Sequence, residues 1–417
     1  MKNNHSKFPR IGERSSILAE IRNRKMARSA HAYVRGNTLQ FYEWLNALKV
    51  HTLPEGPPIW ICGDCHLGNL GPLADAHSHI DIQIRDLDQT VIGNPAHDLI
   101  RLGLSLATAA RGSDLSGMIT AKMMEALMEG YGQTFNPDPV IVQLEKPESV
   151  QVRLKQAQKR TWKHLARERI EDTTPSIPLG KRFWPLSKEE RRSIKALFET
   201  SDVVRLATSL RSRDNDALVE VVDAAYWVKG CSSLGRLRFA VLLAIGETTS
   251  KRRELCLVDM KEAVKAAAPC YSGALMPSDN AKRVVEGARS LAPSLGERML
   301  ATNFLGHSMV MRELLPQDLK LEIEKLTQDE AIMAARYLGM VVGKAHASQM
   351  DVATRNCWRK ELRRHRTKTL DAPSWLWISI VELITSHEGA YLEHCRKYAL
   401  QSSRGWAGAD LKAPAPQ

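Results

Sequence analysis

Carboxylate and amide side chains with a spacing that could support phosphoryl transfer cluster in residues 61–98, ICGDCHLGNLGPLADAHSHIDIQIRDLDQTVIGNPAHD. Asp64 comes first, Asn69 follows it in the same predicted loop, and Asp86 and Asp88 come after a predicted strand. Phosphoryl transfer needs a carboxylate that orients the attacking hydroxyl and oxygen ligands for the Mg²⁺ that binds the nucleotide phosphates. The order of these residues therefore predicts an ATP- and Mg²⁺-dependent phosphotransferase.

Each of these residues has a role that follows from its chemistry. Asp64 is the candidate catalytic base, whose main task in a loose transition state is to orient the acceptor. Asn69 and Asp86 are candidate Mg²⁺ ligands, because this ion prefers hard oxygen donors and keeps several of its waters. Asp88 is a supporting residue of the same metal site, and His66 is a further catalytic candidate in the loop of Asp64.

A second set of candidate residues lies far along the chain, in a glycine-containing turn between two predicted strands. Residues 228–243 read VKGCSSLGRLRFAVLL. Glycines let the backbone approach a phosphate closely, and serine hydroxyls add hydrogen-bond donors. The turn is therefore a candidate nucleotide-binding loop, and its candidate residues are Gly230, Ser232, Ser233 and Gly235.

A lysine at the end of the next predicted strand completes the candidate nucleotide site. Lys261 is the candidate contact to the α- and β-phosphates, and Glu286 in the following predicted helix is the candidate ion-pair partner that positions it. Glu262 is the rival partner. Residues 311–314, with the sequence MREL, are expected near the segment that receives adenine.

Periodicity predicts the elements that position these residues. Apolar residues alternate with polar ones at Ile80, Ile82 and Ile84, which is the period of a half-buried strand. Short strands are also expected around residues 59–63 and in the segments 223–245, 254–263 and 306–314. Helices are expected over residues 17–50 with a break at Gly36, and over 96–110, 114–131, 145–170, 188 onward, 281–291, 329–348 and 375–400.

The composition bounds the class of protein. The chain has 417 residues with 43% hydrophobic and 25% charged residues, so it can bury a sizeable core in two or three lobes. We expect no secretory signal, membrane span or disulfide framework, because there is no long apolar run and the seven cysteines are scattered. These features favour a cytoplasmic location.

The net charge of +12 predicts anionic partners. A nucleotide and a small-molecule acceptor are the expected partners. A nucleic acid is disfavoured, because only Trp162 and Trp358 flank the basic segments and no aromatic residues interleave with them. The oligomeric state is not predicted.

The predicted division of the chain follows the motifs. The segments are a catalytic and metal-binding part (1–135), a helical insertion or linker (136–220), a nucleotide-binding sheet (221–316), closing helices (317–405) and a disordered tail (406–417).

The motifs resemble the core of aminoglycoside phosphotransferases and related protein-kinase-like enzymes. GDCHLGN, IRDLD and GNPAHDLIRL are similar to the catalytic loop, metal-binding strand and following helix of those enzymes. The resemblance implies catalysis by Asp64, metal binding by Asn69 and Asp86, and a brace from Asp98 in the helix to the catalytic loop. Cys62 and Asn94 depart from the family pattern, in positions that hold neither the base nor the metal.

The order of the motifs is reversed relative to ordinary kinases, in which the nucleotide loop and lysine precede the catalytic loop. A circular permutation explains the reversal. The expected fold is therefore α+β, a circularly permuted two-lobed protein-kinase-like fold that is mostly helical with small antiparallel sheets. The helix over 329–348 is the one expected to lead into the catalytic loop.

The whole chain also resembles a bacterial family of uncharacterised proteins, the domain of unknown function 2252. The shared landmarks include KMARSAHAYVRGN, GDCHLGNLG, KGCSSLG, RVVEGAR and GKAHA. Two residues in these landmarks are further candidates. Arg35 could contact a phosphate or substrate, and His346 could line the site. The alternative interpretations are a salt-bridged arginine and a hydrogen-bonded core histidine.

Two other functions stay open from the residues alone. A metal-dependent hydrolase could use Asp64, His66, His77 and Asp86, and the Cys62–Cys65 pair has the spacing of half a zinc or redox site. A non-catalytic kinase-like module that binds nucleotide is the second alternative. A basic nucleic-acid binder is a more distant third.

Overall fold

The computed structural model describes most of the chain. Ser232 and the tail 406–417 lie outside the described residues. The described residues are 8–48, 52–136, 145–170, 176–208, 213, 217–231, 233–246, 253–321, 327–364 and 373–398.

Helices make up about half of the described residues, so the protein is a mostly helical α+β protein, as the sequence predicts. Ser29, Ser116, Ser187, Asp279 and Thr327 each cap a helix by accepting a backbone N–H in its first turn. The helices are α1 Arg14–Met26, α2 Ala30–Gly36, α3 Thr38–Ala47, α4 Ala96–Gly112, α5 Gly117–Gln133, α6 Glu148–Gln158, α7 Trp162–Ile170, α8 Lys188–Leu197, α9 Ser201–Thr208, α10 Asn280–Leu291, α11 Pro293–Gly296, α12 Gln328–Ala347, α13 Val352–Arg364 and α14 Ser374–Tyr398, with short 3-10 helices at Ile11–Glu13 and Leu67–Asn69.

The strands form one six-stranded antiparallel sheet and two short antiparallel hairpin-like pairs. The large sheet has the order β5-β6-β7-β8-β10-β9, and the pairs are β1-β4 and β2-β3. The strands are β1 Ile59–Ile61, β2 Leu70–Ala74, β3 Ile80–Ile84, β4 Val91–Gly93, β5 Phe183–Trp184, β6 Val219–Trp227, β7 Arg238–Ile245, β8 Glu254–Glu262, β9 Met299–Phe304 and β10 His307–Leu314.

The large sheet is held by apolar residues on both faces. Every residue of β7 is buried, which suits a central strand that has a neighbour on each side. Helix α10, which joins β8 to β9, packs on β9 and β10 through Val284, Val285 and Ala288. The sheet and this helix form one side of the molecule.

The helical side of the molecule centres on the packing of α5 against α12. Glycines allow the two helices to approach closely. A Cβ on Gly130 would lie 1.9 Å from the carbonyl oxygen of Arg336, and a Cβ on Gly339 would lie 2.2 Å from that of Leu127. Small residues in α5 and α12 therefore allow these two helices to pack closely.

Most predicted elements are present, with some differences in detail. The charged segment 145–170 forms two helices, α6 and α7, rather than one. Strands β2, β4, β5 and β9 are not predicted. The segment 136–220, expected as an insertion or linker, contributes β5 to the large sheet through the pairing of Phe183 with Trp227. None of the helices in the described part of the chain has the length and apolar character needed to cross a bilayer.

Candidate active site

The β2-β3 pair brings Asn69 and Asp86 to the same place. Antiparallel pairing of Leu70 with Ile84 puts the start of β2 beside the end of β3. The N–H of Arg85 donates to the carbonyl oxygen of Asn69 at 2.7 Å, one residue before Asp86. The two predicted metal ligands therefore meet because they flank the two ends of one hairpin.

The β1-β4 pair supports the loop that carries Asp64. Pairing of Ile61 with Val91 places the loop after β1 against the turn before β4. Gly63 has φ +73°, and a Cβ there would lie 2.2 Å from the carbonyl oxygen of Gln89. Only glycine fits this left-handed and crowded position without strain.

A buried carboxylate braces the predicted catalytic loop from helix α4. Asp98 accepts the N–H of Cys62 at 2.7 Å and the N–H of Gly63 at 2.9 Å, one bond to each oxygen. Asp98 has no exposed surface. Asp98 thus makes the bracing contact with the loop of Asp64 that the resemblance implies.

The Asp64 carboxylate is held in one orientation. Arg101, fully buried one turn after Asp98 in α4, donates from Nε to Asp64 Oδ1 at 2.7 Å. The Thr38 hydroxyl donates to Asp64 Oδ2 at 3.1 Å. These bonds fix the carboxylate at the edge of the cavity described below.

His66 lies beside Asp64 and stays neutral. Its Nε2 is 3.9 Å from Asp64 Oδ2. Burial lowers the pKa of the His66 imidazole to about 3, because desolvation outweighs the attraction of Asp64. Its Nδ1 is buried without a hydrogen-bond partner among the described residues.

His346 supports the loop from behind and does not line the cavity. Its Nε2 lies 3.2 Å from Asp98 Oδ2, and its Nδ1 lies 3.0 Å from the hydroxyl oxygen of Tyr131. The Trp358 indole N–H donates to that same hydroxyl oxygen at 3.0 Å. A buried network therefore runs from Trp358 to the catalytic loop, and His346 is a hydrogen-bonded core histidine.

The large sheet contributes Lys261, which joins the two predicted halves of the site. Lys261 Nζ lies 3.5 Å from Asp86 Oδ1 and also pairs with Asp88. Desolvation raises the pKa of the Asp86 carboxyl. The charges of Lys261, Arg312 and Arg238 lower it by more, so the resulting pKa lies below the ordinary value. Asp86 is therefore ionised, with about half of its side chain exposed (48%). Desolvation and the charge of Asp86 raise the pKa of Asp88.

Behind this lysine, a second buried ion pair orders the sheet. Arg238 on β7 donates from Nε to Asp259 Oδ1 on β8 at 2.8 Å. Burial would raise the pKa of Asp259, but the charge of Arg238 lowers it well below its ordinary value. Lys229 lies 3.8 Å from the centre of the Trp227 ring and 3.9 Å from Asp259 Oδ2. Both basic residues face the cavity.

A cavity of about 450 Å³ lies between the catalytic loop, the β6-β7 loop and the N-terminal helices. Leu165, Leu314 and Leu315 give it an apolar part, which includes the end of the segment expected near adenine. The predicted residues that line it are Arg35, Asp64, His66, Asn69, Asp86, Gly230 and Ser233.

Other predicted residues lie elsewhere. Lys261 and Asp88 line a smaller adjoining chamber, which shares Asp86 with the main cavity. Gly235 has φ +102° but does not line the cavity. Glu286 is exposed on α10, and no ion pair among the described residues joins it to Lys261. The rival Glu262 pairs with His307 at 2.9 Å instead.

The residues of the hydrolase alternative are not assembled. His77 lies exposed in the turn between β2 and β3, away from the cavity lining. Within the described residues, no group of three or more His, Cys, Asp or Glu side chains could hold a metal ion. Cys62 and Cys65 are both buried.

Several residues of the site carry no prediction from the sequence. Arg101 lies in the quoted segment GNPAHDLIRL, three positions after Asp98, so helical spacing is a signal that could have found it. Thr38 has no comparable local signal. The same holds for the basic cavity residues Lys25, Arg28, Arg85, Arg169, Lys229, Arg238, Arg312 and Lys320, which come from separate segments.

Asn69 and Asp86 fit the oxygen ligands of a Mg²⁺ ion. The Asn69 amide nitrogen donates to the carbonyl oxygen of Asp64 at 2.9 Å, so the amide oxygen is left for another partner. Asp86 offers an ionised carboxylate with an exposed face. Two protein oxygens are enough for this ion when substrate phosphates and water complete its octahedron.

The chain belongs to the bacterial family described as "Uncharacterized protein conserved in bacteria", the domain of unknown function 2252 (DUF2252), whose model matches residues 14–397. The family resemblance predicted from the sequence is confirmed. Searches of the curated proteins and of the solved structures found no match.

Proposed function

We propose that the protein is an ATP- and Mg²⁺-dependent phosphotransferase that acts on a hydroxyl or amine of a small-molecule acceptor. The observation that carries this proposal is the ion pair between Lys261 and Asp86. These residues come from two separate motifs, and a kinase site needs both a strand lysine and a metal-binding carboxylate beside the phosphates.

Support for a circularly permuted kinase-like fold comes from the end of helix α12. Gln349 follows this helix, and its side chain exchanges two hydrogen bonds with the backbone of Trp60, at 2.9 and 3.0 Å. Trp60 lies in β1, directly before the catalytic loop. The predicted helix therefore ends beside the catalytic loop in space, although its sequence position is far downstream.

Further support comes from the sheet. Lys261 lies on the third strand of the β6-β7-β8 meander, after a glycine-containing loop between the first two strands, which is the arrangement in protein kinases. Gly230 and Ser233 of that loop face the same cavity as Asp64.

In the proposed reaction, the acceptor oxygen bonds to the γ-phosphorus while the bond from that phosphorus to the β–γ bridging oxygen breaks, which releases ADP. Asp64, held by Arg101 and Thr38, orients the acceptor hydroxyl and takes its proton. Asn69 and Asp86 would hold Mg²⁺, which neutralises phosphate charge. Asp98 keeps the backbone of the loop in place.

The first experiment is calorimetric titration of Mg²⁺-ATP into the parent protein and into Asp86→Ala and Lys261→Ala. We expect binding in the parent and about tenfold or weaker binding in both variants, because each loses a charge-assisted contact. The matched controls are Asp202→Ala and Lys195→Ala, which change exposed residues of α9 and α8. A folded parent that does not bind Mg²⁺-ATP would contradict the proposal.

A non-catalytic nucleotide-binding module is the second candidate. The exposed position of Glu286 favours it, because the lysine–glutamate pair of active protein kinases is not formed here. Slow ATP hydrolysis in the parent that is lost in Asp64→Asn, with Mg²⁺-ATP binding retained, would support the enzyme. ATP binding without any turnover, equal in both proteins, would support the module.

A further inference from the structure

The main cavity carries a large excess of positive charge. Its described lining contains nine arginine and lysine side chains but only three carboxylates, Asp64, Asp86 and Asp318. Clefts lined by one sign of charge concentrate ligands of the opposite sign. The cations that have no acidic partner mark the place where an anion would bind.

Four of the nine cations already have acidic neighbours. Arg169 pairs with Glu168 at 3.1 Å, and Arg238 is bonded to Asp259. Lys229 and Arg312 each lie 3.9 Å from Asp259. These four cations therefore have acidic partners in the sheet or in helix α7.

The other five cations have no carboxylate partner within the described part of the chain. Lys25 donates to the carbonyl oxygen of Gly230 at 3.1 Å, and Arg85 donates from Nη2 to the carbonyl oxygen of Asp318 at 3.4 Å. The side chains of the remaining three form no hydrogen bond or ion pair with a described residue. The five are Lys25, Arg28, Arg35, Arg85 and Lys320.

The lowered pKa values of two of these groups favour the binding of an anion. Desolvation lowers the pKa of Lys25. Desolvation and repulsion from Arg35, Arg85 and Arg169 lower the pKa of Lys320 to about 8. An excess of like charges is unfavourable, and a bound anion reduces that cost.

Three of the five cations form a wall beside Asp64. Lys25, Arg28 and Arg35 lie on or between α1 and α2. The guanidinium of Arg35 lies against the catalytic loop, since a Cβ on Gly68 would be 2.8 Å from its Nη2. Lys25 contacts the β6-β7 loop through Gly230. The wall thus spans from the candidate nucleotide loop to the loop that carries Asp64.

We propose that the acceptor is a small molecule with a phosphate group in addition to the hydroxyl that is phosphorylated, and that Lys25, Arg28 and Arg35 bind this phosphate. Guanidinium groups match the geometry of phosphate oxygens. The inference rests on the proposed function, since it assigns Lys261 and Asp86 to the nucleotide phosphates. It also separates this protein from enzymes that act on aminoglycosides, because the same wall repels a polycation.

The test is calorimetric titration of glycerol 3-phosphate into the protein saturated with Mg²⁺-ADP. Glycerol and the polycation kanamycin serve as uncharged and cationic probes. We expect glycerol 3-phosphate to bind and the other two not to bind. Arg28→Gln and Arg35→Gln should each weaken the affinity for glycerol 3-phosphate by about tenfold, with the affinity for Mg²⁺-ADP unchanged. Arg192→Gln, on the exposed face of α8, is the matched control.

The outcomes separate the two proposals. Binding of Mg²⁺-ADP without binding of glycerol 3-phosphate would overturn the acceptor inference alone. Competition between the two ligands, or stronger binding of kanamycin, would also overturn it. Absence of Mg²⁺-ADP binding in the folded parent would overturn the proposed function. Circular dichroism of each variant establishes that a lost affinity does not come from unfolding.

Discussion

The two walls of the cavity that flank Asp64 differ in how their polar groups are bonded. On the catalytic-loop wall, Asp98 takes the N–H groups of Cys62 and Gly63, and both oxygens of Asp64 have donors. On the α1-α2 wall, the side chains of Arg28 and Arg35 form no hydrogen bond or ion pair with any residue that the structure describes.

This difference separates two tasks. A group that must hold a reacting atom in position needs a rotamer fixed by its own hydrogen bonds. A group that binds a charged ligand is better left without a protein partner, because an internal ion pair competes with the ligand. We therefore expect mutations in the first wall to reduce stability, and mutations in the second wall to reduce binding while stability stays the same.

The largest effect on stability is expected for Asp98→Ala. The change leaves two buried N–H groups and the His346 ring without their acceptor, so the free energy of unfolding should fall by about 3–5 kcal/mol. Urea denaturation followed by circular dichroism measures it. Asp202→Ala, at an exposed site of α9, should change the value by no more than about 0.5 kcal/mol. A similar small change for Asp98→Ala would remove the distinction between the walls.

A smaller loss is expected for Tyr131→Phe, which acts at the far end of the same network. Removal of the hydroxyl leaves the Trp358 indole N–H and His346 Nδ1 without a partner. The expected loss is about 1–3 kcal/mol. Tyr271→Phe is the control, because this tyrosine is 45% exposed. Equal stability of the two variants would show that the network does not support the loop.

The opposite wall should show almost no effect on stability. Arg28→Gln and Arg35→Gln each remove a charge from a group of like charges, so the free energy of unfolding should change by no more than about 0.5 kcal/mol. The same urea titration tests this. A loss of about 2 kcal/mol or more in either variant would indicate that the guanidinium is a structural residue and not a ligand contact.

The catalytic-loop wall could be predicted because its residues are close in sequence. Asn69 and Asp86 flank one hairpin, and the strand period of Ile80, Ile82 and Ile84 predicts that hairpin's second strand. Asp98 follows in the next helix. The spacing of these residues along the sequence therefore predicts most of the geometry of this wall.

The other wall and the lysine partner could not be predicted in the same way. Arg35 is predicted as a phosphate or substrate contact, but its approach to Gly68, like the contact of Lys25 with Gly230, forms only through tertiary packing. The sequence predicts the helix of Glu286, but Glu286 lies on the exposed face of that helix. Val284, Val285 and Ala288 are the buried positions of α10, so Glu286 points away from the sheet.

The smallest effect, on pH dependence, concerns Lys320, a cation of the same cavity that does not belong to the α1-α2 wall. The pKa of Lys320 is lowered to about 8 by desolvation and by Arg35, Arg85 and Arg169, with Asp86 opposing. Lys320 is therefore cationic below that pH and neutral above it. The affinity for sulfate, an anion of constant charge, should fall by about threefold to tenfold between about pH 7 and about pH 9.

Lys320→Arg isolates this residue, because a guanidinium stays charged over the whole range. We expect the variant to bind sulfate as the parent does near pH 7, and to keep that affinity as the pH rises. Calorimetry without metal or nucleotide measures both proteins. If the affinity of Lys320→Arg falls as steeply as that of the parent, then Lys25 or Lys229 is the titrating amine, since the pKa of each is also lowered by desolvation. The anion would then lie closer to the β6-β7 loop than to the hairpin of Asn69 and Asp86.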